Sequence, residues 1–437
     1  MTSAQRAVNP RDLRRAYAAS LSGTALEYYD FAAYSVAAAT LFGDLFFPSG
    51  DPLVGTMSAF STYAVGYLAR PLGGFVFGRL GDVIGRKKVL VYTLLLAGIA
   101  TFLIGLLPTH ASIGGTAAVL LVILRFAQGV AVGGEWGGAV LLSSEYGDPR
   151  KRGFWASAAQ IGPPAGTLLA NGVLALLAGL MSEETFTSGG WRIAFLLSAV
   201  LVLFGLWIRL RLEDTPVFKQ IVDRRERPSA PVSEVVGAER RALIAGILVR
   251  VCPDVLYSLF TVFTLTYITQ ELGMSRGEGT IAVMIGSACQ VLLMPAFGAL
   301  SDRINRRRLY LYGTIAAAVW PFVFFPMIGG GSFAVLIIGT VVALAIHASM
   351  YGPQAALITE QFSPRLRYTG SSLAYTLAGV IGGAPAPLIM TALIAWLDNW
   401  WILGVYLALT AVVTGVGLWL SRDPVVESEV EESVVPA

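Results

Sequence analysis

The apolar stretches of this sequence hold only a handful of side chains able to do charge chemistry, and their spacing groups them. Glu27 and Asp30 are three apart, so a helix places both carboxylates on one face, with Gly23 and Tyr34 a turn away on either side. Arg70 shares a stripe with Gly66, Tyr67 and Gly74, a small and aromatic face suited to a cavity wall. There its guanidinium can grip a carboxylate bidentately, or serve as the structural partner of Glu27 or Glu135. Arg250, Asp254, Tyr257 and Thr261 recur at helical spacing, as do Gln160, Pro164 and Asn171, and again His347, Tyr351 and Gln354. Such groups suit a carboxylated or polyhydroxylated solute; bonding between helices is the competing use of the amides and hydroxyls. His347 has two readings, a second proton site or a satisfied interior histidine. Glu135 lies among Gly129, Gly133 and Gly137, where small residues let backbones approach, and reads as structural.

The same stretches offer no nucleophile with its base, no zinc-ligand spacing and no phosphate-cradling loop; the glycine-rich run from Gly133 to Gly138 lies inside an apolar segment. Cys252 and Cys289 are the only cysteines and suggest neither a disulfide framework nor a metal site. An enzyme is therefore not expected, nor a cofactor.

The elements that must position these residues follow from composition. Of 437 residues, 55% are hydrophobic and 14% charged, with mean hydropathy +0.67, against about 25% charged in globular domains. An all-α integral membrane protein is expected, because lipid cannot satisfy open backbone and the apolar runs are too long for barrel strands. Twelve runs are long enough to span: 21–46, 56–80, 89–108, 116–145, 153–181, 191–212, 243–270, 279–300, 309–328, 333–358, 369–396 and 400–420. The first follows a basic segment without a small-residue cleavage pattern, so it reads as a retained span. A charge at mid-span costs about 2.5 to 3.5 kcal/mol even on the mildest scale, so each one there is a functional candidate.

The net charge of +3 conceals a strong asymmetry. Basic clusters precede span 1 (Arg6, Arg11, Arg14, Arg15) and follow span 2 (Arg86 to Lys88), span 4 (Arg150 to Arg152), span 6 (Arg211 to Arg241), span 8 (Arg303 to Arg308) and span 10 (Arg365, Arg367). The opposite loops hold little beyond Arg192 and Arg276. The positive-inside rule puts both termini in the cytoplasm of a cell whose inner or plasma membrane the chain crosses. The basic charge is thus topological, and no nucleic-acid partner is expected. Segments follow: a cytoplasmic segment 1–20, a six-span half 21–212, a central loop 213–242, a second half 243–422 and an acidic tail 423–437. The two halves repeat. Gly78, Asp82, Gly85 and Arg86 to Lys88 after span 2 recur as Gly298, Asp302, Asn305 and Arg306 to Arg308 after span 8, 220 residues later. Glu145 to Gly153 likewise resembles Glu360 to Arg367 with Gly370. Parallel six-span repeats with a site near the midplane describe major facilitator transporters.

The doubled Gly-x-x-x-Asp-x-x-Gly/Asn-Arg loop resembles the signature of that superfamily. Leu26 to Phe31, Gly66 to Gly74, Arg125 to Gly129, Gly133 to Gly138 and Arg367 to Tyr375 are similar to the metabolite:proton symporter family, and Gly134 to Leu142 with Phe46 to Gly55 to its shikimate-type members. The Arg250, Pro253, Asp254 sequence in span 7 departs from the Glu-Asn-like pair expected there.

The resemblance implies a proton-coupled importer of a small organic acid, such as shikimate or a di- or tricarboxylate, working as a monomer in lipid by alternating access. In similar sugar:proton carriers the span 1 Asp faces the span 4 Arg. By that likeness Asp30 titrates with Glu27 beside it, and Arg125 tunes it; Arg125 snorkelling to the interface is the other reading. Arg70, Tyr34, Gln160, Asn171, Arg250, Asp254, Tyr257, His347 and Tyr351 are the expected solute contacts. Asp82 with Arg86, Glu145 with Arg152, Asp302 with Arg306 and Glu360 with Arg367 are expected ion-pair latches, exposed and worth about 0 to 1 kcal/mol each. Two rivals stand beside this. Gly153 and Gly162 to Gly166 partly match a motif of drug:proton antiporters, with Thr167 replacing its last glycine, and a non-transporting sensor could reuse the fold.

Overall fold

A computed structural model describes residues 10–48, 52–211 and 231–422. The acidic tail, most of the central loop and the side chains of Asp82 and Arg86 lie outside the described residues. Among these residues the chain is helical, and each expected span corresponds to one long helix. We label them α1 (Pro10–Ala37), α2 (Pro52–Ile84), α3 (Arg86–Leu106), α4 (Thr116–Tyr146), α5 (Arg152–Gln160, resuming as Gly162–Leu180) and α6 (Arg192–Leu210). The second set is α7 (Arg240–Ser258, continuing to Gln270), α8 (Arg276–Ser301), α9 (Arg306–Ile328), α10 (Phe333–Thr359), α11 (Arg367–Ala378, continuing to Leu397) and α12 (Trp401–Leu420). Ten of them are long and apolar enough to cross a membrane; the other two are α1, which carries Glu27 and Asp30, and α2, which carries Arg70. Large apolar side chains such as Leu180, Val200, Leu203, Leu292, Val412 and Trp419 face outward, as lipid requires.

α1 begins at Pro10, eleven residues before the expected span. The added turns are amphipathic: Arg14 and Arg15 are exposed while Ala16 and Ala19 pack on Leu90, Leu142 and Tyr146. A helix needs only one buried stripe, whereas a hydropathy window requires apolar residues all round.

Packing partners recur under a shift of six helices. α2 packs on α4 as α8 on α10, α3 on α6 as α9 on α12, and α2 on α11 as α8 on α5. Basic residues add a matching pair. Lys87 donates to the last carbonyl of α6, Leu210 (3.0 Å), and Arg307, 220 positions on, donates to Leu418 near the end of α12 (2.7 Å). These basic residues therefore cap helix C-termini. On the opposite face Arg192 does the same for α3, donating to Gly105 and Leu107.

Breaks in helical regularity fall on related helices too. Wide π turns interrupt α1 after Ala37, α7 at Leu259–Phe263 and α11 at Gly379–Gly383, and α5 breaks at Ile161 before Pro163 and Pro164. Helices 1 and 7, and 5 and 11, are equivalent under the six-helix shift, and such breaks cluster at functional sites.

On the basic face the two sets meet through glycine. An added Cβ on Gly153 of α5 would strike the carbonyl of Gly298 and the Ser301 and Asp302 side chains of α8, whereas Gly172 of the same helix has open space. Gly153→Ala should therefore lower the thermal midpoint of the purified protein in detergent by several degrees, since backbone must move, while Gly172→Ala should leave it unchanged or raise it.

Candidate functional site

At the centre of the bundle, helices from both halves converge on Tyr375 of α11. Its hydroxyl bonds Tyr28 of α1 (2.9 Å) and Tyr351 of α10 (3.0 Å), and its ring stacks on Trp136 of α4 with centroids 4.0 Å apart. The Trp136 indole donates to Gln160 Oε1 (2.9 Å), and the Gln160 amide donates to the Tyr351 carbonyl (2.9 Å). Arg250 lies over the Tyr375 ring, 3.3 Å to the centroid, donates to its carbonyl, and pairs through Nε with Asp254 (3.0 Å). Tyr257 reaches Thr167 of α5 (3.5 Å) and packs beside His347, which stacks on Tyr351.

Arg70 enters this cluster from α2. Its guanidinium sits 3.9 Å above the Tyr67 ring and 4.4 Å from Phe31, is 1% exposed, and leaves Nε and Nη2 without a hydrogen-bond partner. Neither expected structural partner takes it. Glu135 is paired instead with Arg209 of α6, a residue the sequence reading passed over, and Glu27 keeps Oε2 without a partner. An added Cβ at Gly23 would overlap the Arg209 guanidinium, so the bare backbone of α1 lets this pair form.

Asp30 and Arg125 belong to a second cluster, one turn further along α1. Thr101 donates to Asp30 Oδ2 (2.7 Å), Arg125 Nη1 donates to Gln128 Oε1 (2.7 Å), and Gln128 Nε2 lies 2.5 Å from the Thr101 hydroxyl. The expected acid–guanidinium couple is thus connected through Thr101 and Gln128. Arg125 is fully buried, 3.8 Å above the Tyr34 ring, which excludes snorkelling. Phe31 touches both clusters, its ring centroid 4.5 Å from the Arg125 guanidinium and 4.4 Å from that of Arg70. A cavity of about 10 Å³, room for one water molecule, is lined by Glu27, Asp30 and Glu135.

Two expected solute contacts stand apart. Tyr34 bonds Thr62 beneath Arg125 and so belongs to the Asp30 cluster. Asn171 follows Gln160 by eleven residues on α5, about 16 Å at the helical rise. Conversely, Tyr28, Trp136, Tyr375, Thr101 and Gln128 were not foreseen. Gln128 had a signal, three residues after Arg125, and Tyr28, Trp136 and Tyr375 lie inside the motifs quoted above.

On the basic face Asp302 pairs with Arg306 (2.9 Å), and Arg306 also pairs with Glu360, so the expected Asp302–Arg306 latch extends to a third member. Asp302 also accepts from the backbone N–H groups of Gly153 (2.7 Å) and Phe154 (2.9 Å), at the N-terminus of α5 in the other half. These side chains are 14% exposed or less, against the expectation of an exposed latch, because α5 packs directly over them. Glu145 and Arg152 lie on the same face.

Comparison with known proteins decides the class. The Sugar (and other) transporter family matches residues 16–239, and the Major Facilitator Superfamily matches 254–435. The chain belongs to the major facilitator superfamily. It is 38% identical to the inner membrane metabolite transport protein YhjE of Escherichia coli (strain K12), over 93% of both chains. It is equally 38% identical to the shikimate transporter of the same organism, over 94% of both. The proton:xylose symporter XylE, bound to 6-bromo-6-deoxy-D-glucose, shares the fold with TM-score 0.77 at 15% identity, covering 94% of this chain and 95% of that one. This superfamily member is a multi-pass membrane transporter and not an enzyme.

The buried Glu135–Arg209 pair gives a stability test. Glu135→Gln strands the Arg209 charge and should cost about 3 to 5 kcal/mol, whereas the double variant Glu135→Leu with Arg209→Met should recover most of it. Detergent denaturation of the three proteins checks this; a single variant as stable as the parent would contradict the pairing.

Proposed function

We propose that this transporter imports a small organic acid together with a proton. The observation that carries the reading is Arg70: a guanidinium buried at the meeting of the halves, packed against the rings of Phe31 and Tyr67, with two nitrogens left for an acceptor. Unmade hydrogen bonds of a buried charge are costly, and a carboxylate supplies the matching acceptor pair. Tyr28, Tyr67, Gln160, Arg250, Tyr257, His347, Tyr351 and Tyr375 complete the proposed site, with hydroxyls and amides for a hydroxylated ring or chain. The named relatives support this: one is a shikimate transporter, another a metabolite transport protein.

Asp30 is the proposed proton carrier. Its carboxylate, held by Thr101 and wired through Gln128 to Arg125, would exchange its proton as that connection lengthens and shortens, with Glu27 and the adjoining one-water cavity as the path. Phe31, packed against both guanidiniums, gives the solute and proton sites a shared mechanical neighbour. In this account the halves 21–212 and 243–422 rock about the central cluster. Contacts of Asp302, Arg306 and Glu360 close the basic face, taken as cytoplasmic with both termini. Asp82, Arg86, Glu145, Arg152 and Arg367 act at the related loops, and the working unit is a monomer.

Proteoliposomes holding the purified protein, given an inward proton gradient and labelled shikimate, test the reading. Accumulation abolished by a protonophore is expected, with Asp30→Asn losing accumulation yet retaining gradient-free exchange. Failure of shikimate, α-ketoglutarate, citrate and proline alike, with resistance to toxic compounds on expression, would replace import by antiport. Accumulation undiminished in Asp30→Asn would remove Asp30 from the coupling step.

A further inference from the structure

His347 of α10 and Gln290 of α8 are buried side by side at the edge of the central cluster. The Gln290 amide nitrogen lies 3.0 Å from the Leu344 carbonyl oxygen and 2.9 Å from His347 Nδ1. A carbonyl can only accept, so the amide atom facing Leu344 must be the one that carries hydrogens, which settles which way the amide points. Its two hydrogens then meet two acceptors, Leu344 O and His347 Nδ1. Nδ1 therefore carries no proton, and the ring's single proton is on Nε2.

A second proton would set Nδ1–H against the amide N–H. Turning the amide over would only exchange that clash for one between Gln290 Oε1 and the Leu344 carbonyl. Gln290 Oε1 is itself buried without a partner, so no other bond holds the amide in either orientation. The aromatic neighbours of the ring come from α7 and α10. Tyr257 has its centroid 5.1 Å away and Tyr351 stacks at 4.8 Å, while the α7 charges on that side, Arg250 and Asp254, are engaged with each other. Asp254 keeps Oδ2 without a partner, but among the described residues no ion pair or hydrogen bond joins His347 to it or to another carboxylate. Among the described residues none accepts from Nε2–H.

We infer that His347 is a fixed neutral donor, its Nε2–H directed to an acceptor oxygen of the solute, and that Gln290 is the positioning residue that keeps it out of proton transport. This deepens the reading of the central cluster as the solute site and rests on it for the solute contact. The locked tautomer stands on the hydrogen-bond geometry alone.

The chain has two histidines, His110 and His347. Selective ¹⁵N-histidine labelling of the His110→Gln protein in lipid therefore isolates His347. The expected spectrum shows one protonated nitrogen, Nε2, and one bare nitrogen, Nδ1, unchanged between about pH 5 and pH 8, where an ordinary histidine titrates. Gln290→Glu replaces the amide donor by an acceptor and should make the ring titrate within that range. Convergence of the two nitrogen signals in the parent protein as pH falls, or a flat response in Gln290→Glu, would overturn the lock. For the solute contact, His347→Gln keeps an N–H near the Nε2 position and should hold KM close to the parent value. His347→Phe should raise KM about tenfold with kcat little changed. Equal KM values for both variants, with the nitrogen spectra as expected, would leave the tautomer standing and remove the cluster's edge from the solute site.

Discussion

Charge inside hydrocarbon is the constraint on which the rest of this structure depends. Four arginines, Arg70, Arg125, Arg209 and Arg250, and four carboxylates, Glu27, Asp30, Glu135 and Asp254, are buried within the helices. Each costs several kcal/mol unless another group answers it. Two of the eight are settled as the Glu135–Arg209 pair and two as Arg250–Asp254. The remaining four have their charges answered less directly, by aromatic faces, by Thr101 and Gln128, and by proximity. Those four carry the solute-gripping and proton-carrying roles in the proposed cycle, while the paired Arg250 only helps to line the solute site.

The same economy explains where glycine and the helix breaks fall. Gly23 lets Arg209 reach across α1 to Glu135, and Gly153 lets α5 lie against α8 so that Asp302 can cap its N-terminus from the other half. The second contact is made of backbone N–H groups and a carboxylate. It can therefore open to water without stranding a charge in lipid, a property that a rocking mechanism needs of any closure on the basic face.

Much of this could be read from residue types and spacing. The twelve helices followed from run length, and the buried charges were nearly all named in advance, because an ionised side chain in an apolar run is conspicuous. Arg209 was missed because it sits two residues from Arg211 at the edge of a basic loop, where sequence cannot separate an inward guanidinium from an outward one. Tyr28, Trp136 and Tyr375 were missed for another reason. Aromatic residues are common in spans, and only the fold brings three of them together from three helices. Tyr34 and Asn171 erred the other way, since a shared helical stripe fixes a direction and leaves the height along the axis open. The Arg306–Glu360 contact lay beyond the same limit of one-dimensional spacing, since its partners are 54 positions apart.

The proposed transport cycle depends on Arg70 as the group that holds the solute's carboxylate. The most direct measurement is equilibrium binding of labelled shikimate, or whichever acid of the uptake panel is carried, to purified parent and Arg70→Lys proteins in detergent. Lysine keeps the positive charge and forfeits the two-pronged fork, so Kd should rise about tenfold or more, ~1.4 kcal/mol or above, while thermal stability without solute stays near that of the parent. An unchanged Kd would contradict the central claim and return Arg70 to a structural role.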